Sequence, residues 1–328
     1  MTRFGWLGVH AEGVQALEGL IEVGAAPVAI ITLRWDLARA RSAAVDYRAL
    51  ARQFALPLYE IASINDESSV ALLRQLSLDI LFVIGWSQIL HGAALRAPRI
   101  GAIGAHASLL PHNRGSAPVN WALIRGERVA GNSLMWLAEE LDAGDLLDQT
   151  TFSITPYDTC ATLYERVAVS NREMILRVLP RLLAGERPGR PQPPIREPAL
   201  PRRRPADGLI DWRARGATIY DFVRALTRPY PGAFGWLDGE RWIVWRAARL
   251  PDALRATASP GEVIGPMYSP EEAACGQVVA CGGGDAIVLV EVESSDGRVL
   301  RGRRLSDQPW TGKRWSYEQA NLGDRRAS

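Results

Sequence analysis

Phe4-Gly-Trp-Leu-Gly-Val9, a helical pattern from Glu12 to Val23, and the β-branched run Pro27-Val-Ala-Ile-Ile-Thr32 decide the fold. Strand, helix and strand follow one another in the order of a βαβ unit. The alternation continues with a helix over Asp46 to Phe54, a short strand at Pro57 to Ile61, a helix over Ser68 to Leu76 and the strand Ile80 to Ile84. Near-continuous apolar strands between helices predict an α/β fold whose parallel sheet is covered on both faces. Ligand sites in such sheets lie beyond the strand C-termini, which directs attention to the loops after Val9, Ile84 and Ile103.

The whole chain has 328 residues, 47% hydrophobic and 23% charged, which excludes a disordered or fibrous protein and predicts two domains or one large domain with an appendage. A Pro- and Arg-rich stretch runs from Leu183 to Pro205, including Pro201-Arg-Arg-Arg-Pro205. Beyond it Ile210 to Leu226 reads as a helix, and Trp242 to Trp245, Val278 to Ala280, Ala286 to Val292 and Val299 to Leu305 read as short strands of a small barrel or sandwich. The expected divisions are 1–184, a linker 185–206, 207–312 and a fraying tail 313–328. Gly282-Gly-Gly284 lies between two apolar runs and predicts a hairpin turn, since a phosphate loop needs a following helix. Gly8 and Gly13 make no dinucleotide fingerprint.

Thirty-eight basic residues balance 36 acidic ones, leaving +2, so no strong field attracts nucleic acid or an anionic membrane. Cys160, Cys275 and Cys281 are odd in number and far apart, which points to neither a disulfide framework nor a metal-binding CxxC pair. A reducing cytoplasm fits that usage. The longest apolar runs fall far short of the roughly 20 residues of a membrane span, and no signal peptide is expected.

Gly101-Ala-Ile-Gly-Ala-His-Ala-Ser-Leu-Leu-Pro111 precedes His112-Asn-Arg-Gly-Ser-Ala-Pro118, and Glu139-Glu-Leu-Asp-Ala-Gly-Asp145 follows. His106 and Asp142 stand 36 positions apart and form a candidate acid/base pair, the aspartate fixing the histidine tautomer and supporting its charge. Spacing alone leaves a structural histidine as the alternative.

His106-Ala-Ser-Leu-Leu-Pro111, Arg114-Gly115, Ala117-Pro118 and Leu141-Asp-Ala-Gly-Asp145 together resemble the formyltransferase superfamily, whose members use N10-formyltetrahydrofolate. Asp207-Gly-Leu-Ile-Asp-Trp212, Ile219-Tyr220, Arg224-Ala-Leu226 and Pro229-Tyr-Pro-Gly-Ala-Phe234 look like the C-terminal domain of the methionyl-tRNA and sugar N-formyltransferases. The resemblance implies a Rossmann-like parallel-sheet domain, a linker and a smaller OB-like β-barrel. It also implies a metal-free one-carbon transferase in which a primary amine attacks the formyl carbon and an oxyanion must be stabilised.

The family meets that oxyanion with an Asn-x-His motif and a later Asp. His106 and Asp142 match the last two, and Gly104 stands where the Asn belongs. Losing one oxyanion donor typically costs about 10²–10³ in turnover. Four explanations follow: a folate-binding relative that has lost its activity, a deliberately inactivated variant, a substitute donor (Asn113, Asn120, Asn132 or a water), or transfer of a formimidoyl group from 5-formimidoyltetrahydrofolate. Glycine also simply permits close backbone approach.

The resemblance further implies a folate pocket built from Trp86, Gln88, Ile89 and Leu90 and from Ala138, Glu139, Glu140, Leu141 and Asp142, largely through backbone groups, with Trp86 equally readable as core. Arg114 is an anion or carbonyl partner or a buried structural arginine; Leu109, Leu110 and Pro111 pack the turn. A tRNA acceptor requires a basic surface, whereas Arg34 to Tyr47 is mixed in sign, and Arg202-Arg-Arg204 reads as a solvated loop. Ala117-Pro-Val-Asn-Trp-Ala-Leu123 looks more like the sugar N-formyltransferases, including the enzyme acting on UDP-4-amino-4-deoxy-arabinose. Asn120 is then the polar side chain expected near the acceptor amine, with Asn113 beside the site, and a helix-surface asparagine is its alternative reading. The acceptor is an amino sugar or a natural-product amine, and homodimers through the C-terminal domain occur among the sugar enzymes.

Overall fold

A computed structural model describes residues 2–194, 197–251 and 256–317. Most of the expected tail, 318–328, therefore lies outside the described residues. Two compact units are present: Met1–Val119, Arg128–Thr155 and Thr162–Arg202 form the first, and Asn120–Glu127, Pro156–Ala161 and Arg203–Ser328 the second.

The first unit is built on a seven-stranded sheet: β1 (Phe4–Leu7), β2 (Ile30–Leu33), β3 (Leu58–Ile61), β4 (Ile80–Val83), β5 (Gly101–His106), β6 (Val129–Trp136) and β7 (Leu146–Ser153). Their spatial order is β3-β2-β1-β4-β5-β6-β7. The first five run parallel, with Trp6 opposite both Ile30 and Phe82. The sheet is mostly parallel as expected, and its last two strands are antiparallel, β6 to β5 and β7 to β6. Gly131, Asn132 and Ser133 in mid-strand interrupt the apolar run that marks the parallel strands, so periodicity does not announce β6.

Both sheet faces are covered. Phe4, Trp6, Ile30, Phe82 and Ile103 pack against Leu17 and Leu20 of the helix Val14–Glu22 and against Met174, Ile175, Val178 and Leu182 of the 24-residue helix Cys160–Leu183. On the opposite face Leu7, Ile31, Leu81, Val83 and Ala102 meet Val70, Leu73 and Leu95. Each fully buried aliphatic or aromatic side chain contributes about 1.5–3 kcal/mol, so the strands are held in register by pleat and burial together. That fixes where their C-terminal ends, and the loops beyond them, must lie.

The second unit is a curled antiparallel sheet of β8 (Ala233–Leu237), β9 (Glu240–Arg249), β10 (Val263–Met267), β11 (Gly276–Ala280), β12 (Ala286–Ser294), β13 (Val299–Arg301) and β14 (Trp315–Ser316). Its order is β10-β11-β12-β9-β8-β14, with β13 beside β12, and register shifts at Leu289/Glu291 and Val263/Gly265 bend it. Trp212, Trp242, Trp310 and Trp315 pack in its core in tilted and edge-to-face pairs with ring centroids 5.1–6.2 Å apart. Gly282 to Gly284 lie in the β11–β12 hairpin, as the sequence predicts. The expected helix Ile210 to Leu226 begins only at Gly216, because Ile210 N–H donates to the Phe234 carbonyl and Asp285 accepts the Gly216 N–H.

Candidate active site

His106 is the last residue of β5, buried, and opposite Ser133 of β6. Alternation along the strand puts Gly104 on the same sheet face as His106, and the directly paired Ser133 and Met135 share that face. The imidazole Nε2 lies 2.8 Å from the Asn113 carbonyl oxygen. A carbonyl only accepts, so Nε2 carries the hydrogen. The main chain of Asn113, rather than Asp142, thus fixes the tautomer, a revision of the role expected for the aspartate. Nδ1 faces Asp142 Oδ2 at 3.7 Å, an ion-pair separation too long for a hydrogen bond.

Asp142 takes a left-handed backbone (φ +54°), and its carboxylate also accepts the Gly115 N–H at 2.9 Å. Gln192 donates its amide to the carbonyls of Asp142 and Gly144. Arg114 Nη1 reaches Glu140 Oε1 and the Leu141 carbonyl, both at 3.2 Å. The His-Ala-Ser-Leu-Leu-Pro turn is fastened separately: Ser133 Oγ donates to the Ser108 carbonyl and accepts the Leu110 N–H, while Gln149 donates to the Leu110 carbonyl. Part of the Pro-rich stretch belongs to this support, since Arg190 pairs with Leu146 and Leu200 with Gly115. These buttresses went unread in the sequence because each comes from a segment without periodicity.

The space beside Gly104 is filled. A Cβ at that position would meet Leu137 Cδ2 at 2.5 Å. Any side chain at that position would have to displace Leu137. Asn132 is no substitute donor: it sits one residue out of phase with Ser133, on the face covered by the long helix, and its amide bonds Ser170 Oγ and Asn171 Oδ1. Asn120 is completely buried in the second unit, where its amide donates to the Ala225 carbonyl at 2.6 Å, so its side chain serves packing and not an acceptor amine. Asn113 contributes its carbonyl to His106.

The two expected folate segments adjoin. Glu139 pairs with Arg96 at 2.6 Å and accepts the Gly92 N–H, joining 138–142 to the loop after β4. Within that loop Gln88 bonds the Ile64 N–H and the Ala62 carbonyl, the Ile89 carbonyl accepts from Asn65, Ile89 is exposed and Leu90 is core. Ala138, Glu139, Glu140 and Leu141 are exposed. Trp86 packs against Val9, Leu33 and Ala38. Trp86 Nε1 and Arg114 Nε are buried and have no hydrogen-bond partner among the described residues. Orphaned donors of this kind are costly, and two of them flanking these segments fit a ligand rich in acceptors.

A second group of polar residues follows β1. Burial, with Arg41 adding to it, lowers the His10 imidazole from 6.5 to about 4. Burial raises the Glu12 carboxyl from 4.5 to about 7. The sequence marked the loop after Val9 only by its position at the strand end. A cavity of about 480 Å³ lies elsewhere, lined by Arg34, Trp35, Asp36, Arg39, Arg48 and Glu60, and not at His106. Among the described residues no cluster of three or more His, Cys, Asp or Glu is arranged to hold a metal, and no helix is long and apolar enough to cross a membrane.

Residues 18–179 match the formyl transferase family, and residues 203–308 match the formyl transferase C-terminal domain. The chain belongs to the formyltransferase superfamily. Among solved structures, HypX from Aquifex aeolicus in complex with tetrahydrofolic acid is 18% identical with a TM-score of 0.62, over 92% of this chain and 46% of HypX. This chain thus spans about half of HypX. WlaRD, a sugar 3N-formyl transferase, is 13% identical (TM-score 0.63) over 91% of this chain and 99% of its own. An N-formyltransferase from Helicobacter canadensis, solved with folinic acid and dTDP-3-aminofucose, is 15% identical (TM-score 0.62), covering 88% and 99%. Identities this low establish a shared fold.

Proposed function

We propose that this formyltransferase moves a formyl group from N10-formyltetrahydrofolate to the primary amine of a small molecule, an amino sugar or a related amine. The observation that carries the reading is the pairing of His106 Nδ1 with Asp142 Oδ2, 3.7 Å apart, beside the 86–92 and 138–142 segments. Main-chain groups of those segments, with Trp86 Nε1 and Arg114 Nε, would hold the folate, which supplies the formyl carbon when bound. The new C–N bond forms as the amine attacks that carbon, the bond to the folate nitrogen breaks, and the amine proton must reach that nitrogen. With Nε2–H engaged by Asn113, Nδ1 is the ring nitrogen open to change. Its lone pair faces the Asp142 carboxylate, whose charge would offset that of an imidazolium formed in transfer. That arrangement suits holding and returning a proton.

Leu137 in the donor position favours a second reading. A formimidoyl group presents nitrogen where a formyl group presents oxygen, so its transfer does not build an oxyanion that calls for a carboxamide. A small-molecule acceptor is further supported by Arg203, whose guanidinium lies 5.0 Å over Trp121 and 5.5 Å over Phe222, engaged by aromatic faces instead of presented for phosphates. The test is incubation of the chain with N10-formyl- and 5-formimidoyltetrahydrofolate against a panel of amines, read by mass spectrometry. Formylated product supports the first reading and formimidoylated product the second. Product from neither donor with any amine contradicts both.

A further inference from the structure

Asp142 stands in the left-handed region at φ +54°, a conformation that a residue other than glycine holds only where its surroundings impose it. Two segments impose it here. Gln192 gives both hydrogens of one amide to the turn, its Nε2 lying 2.9 Å from the Asp142 carbonyl oxygen and 2.8 Å from that of Gly144. On the other side the Gly115 N–H donates to Asp142 Oδ2 at 2.9 Å. Leu200 holds that second turn in its own place, since its N–H donates to the Arg114 carbonyl and its carbonyl accepts the Ser116 N–H.

Gln192 belongs to the Pro-rich stretch, and the residues before it are anchored to the sheet. Trp136 Nε1 donates to the Pro188 carbonyl at 2.5 Å, and the Arg187 guanidinium lies 4.7 Å over the Trp136 ring. Arg190 exchanges two main-chain hydrogen bonds with Leu146, at 2.8 and 2.9 Å. Strand β6 therefore sets the distance between the two partners: at Ser133 it pairs with His106, and at Trp136 it seats the segment that carries Gln192. Gln192 Oε1 is buried and has no hydrogen-bond partner among the described residues, so the two carbonyls set how the amide points.

We infer that Gln192 is a positioning residue for one-carbon transfer: it locks the 142–144 turn so that the Asp142 carboxylate stays 3.7 Å from His106 Nδ1. This rests on the reading of His106 and Asp142 as the reacting pair and adds the group that keeps them paired. If the main chain at Asp142 left the left-handed region, Oδ2 would swing away from both Nδ1 and the Gly115 N–H. A misplacement of about 1 Å is enough to slow a chemical step steeply, while an amine bound by other groups is held as before.

The experiment compares Gln192→Ala, Gln192→Glu, Asp142→Asn and the combination of Gln192→Ala with Asp142→Asn, each in the full chain. Gln192→Ala should lower kcat roughly 10- to 10²-fold, with the KM for the amine and the melting temperature little changed. Gln192→Glu, of equal shape, should do no better, because it sets oxygens against two carbonyl oxygens. In the Asp142→Asn background Gln192→Ala should cost little more, since the carboxylate it places is already gone; a merely structural residue would lower both backgrounds alike. Hydrogen exchange reads the placement without substrate. The Gly115 N–H should exchange about tenfold faster in Gln192→Ala, while the amides of β4 and β5 keep their protection. Full rate in Gln192→Ala beside an impaired Asp142→Asn overturns the inference and leaves the reacting pair standing. Equal losses in the two backgrounds, or unchanged Gly115 exchange whatever the rates, also overturn it. Full rate in Asp142→Asn removes the reacting pair, and the inference with it.

Discussion

Two places on one sheet edge each hold a histidine and a carboxylate, and they are built in opposite ways. After β5, His106 and Asp142 are clasped: the ring hydrogen-bonds the Asn113 carbonyl, the carboxylate accepts the Gly115 N–H, and the two side chains face one another. After β1, His10 and Glu12 are displaced mainly by burial, in opposite directions, the imidazole to about 4 and the carboxyl to about 7. The first arrangement holds an imidazole and a carboxylate 3.7 Å apart, each tied by a main-chain group. The second holds two partly buried groups away from their usual protonation ranges. One strand edge thus carries two histidine–carboxylate groups, one tied by hydrogen bonds from loops and the other displaced by burial.

The sharpest way to break the comparison is to remove the clasped pair. His106→Ala should lower transfer by roughly 10²–10⁴ with little change in thermal unfolding. Asp142→Asn should follow with a loss of roughly 10², because its amide carries no charge to offset that of an imidazolium. Steady-state rates for the two variants measure this, and an unchanged rate in either would remove that residue from the chemistry.

The displaced pair predicts a stability signature instead. His10 binds its proton more weakly in the fold, so its contribution is lost as pH falls from 6.5 to about 4. Glu12 holds its proton more tightly, so its contribution is lost as pH rises from 4.5 to about 7. Each displacement is equivalent to about 3 kcal/mol between its extremes, and the two oppose each other over the shared window. Relative to wild type, Glu12→Gln should therefore gain stability as pH rises through that window, and His10→Asn should lose it. Urea unfolding across the range reads both, and variants that track wild type would show that the two groups do not titrate as described.

The smallest effect concerns packing beside the clasped pair. Gly104→Asn must displace Leu137 and should cost about 1–3 kcal/mol, much of it recovered when Leu137→Ala is added. If the single variant is as stable as wild type, the space beside Gly104 is not filled as described.

The parallel strands were legible because Ile30, Ile80 and their neighbours form unbroken apolar runs buried on both faces. Strand β6 was not, since Asn132 and Ser133 are polar residues satisfied by groups distant in sequence, Ser170 and Asn171 for one and Ser108 for the other. The same contrast holds at the site. His106 and Asp142 could be named from a motif, whereas the carbonyl of Asn113 that fixes the ring, and Leu137 that fills the place beside Gly104, act through main chain or through packing that no residue pattern announces. Asn120 was misread for the same reason, because an asparagine on a helix gives no sign that a carbonyl 105 positions away will bury it.

The most direct test is a crystal structure of the chain with 5-formyltetrahydrofolate, a stable formyl-folate. The account predicts the folate against residues 86–90 and 138–142, with its one-carbon group directed at His106 Nδ1. A folate seated anywhere else, or an imidazole turned away from it with Nδ1 buried in packed side chains, would contradict the account.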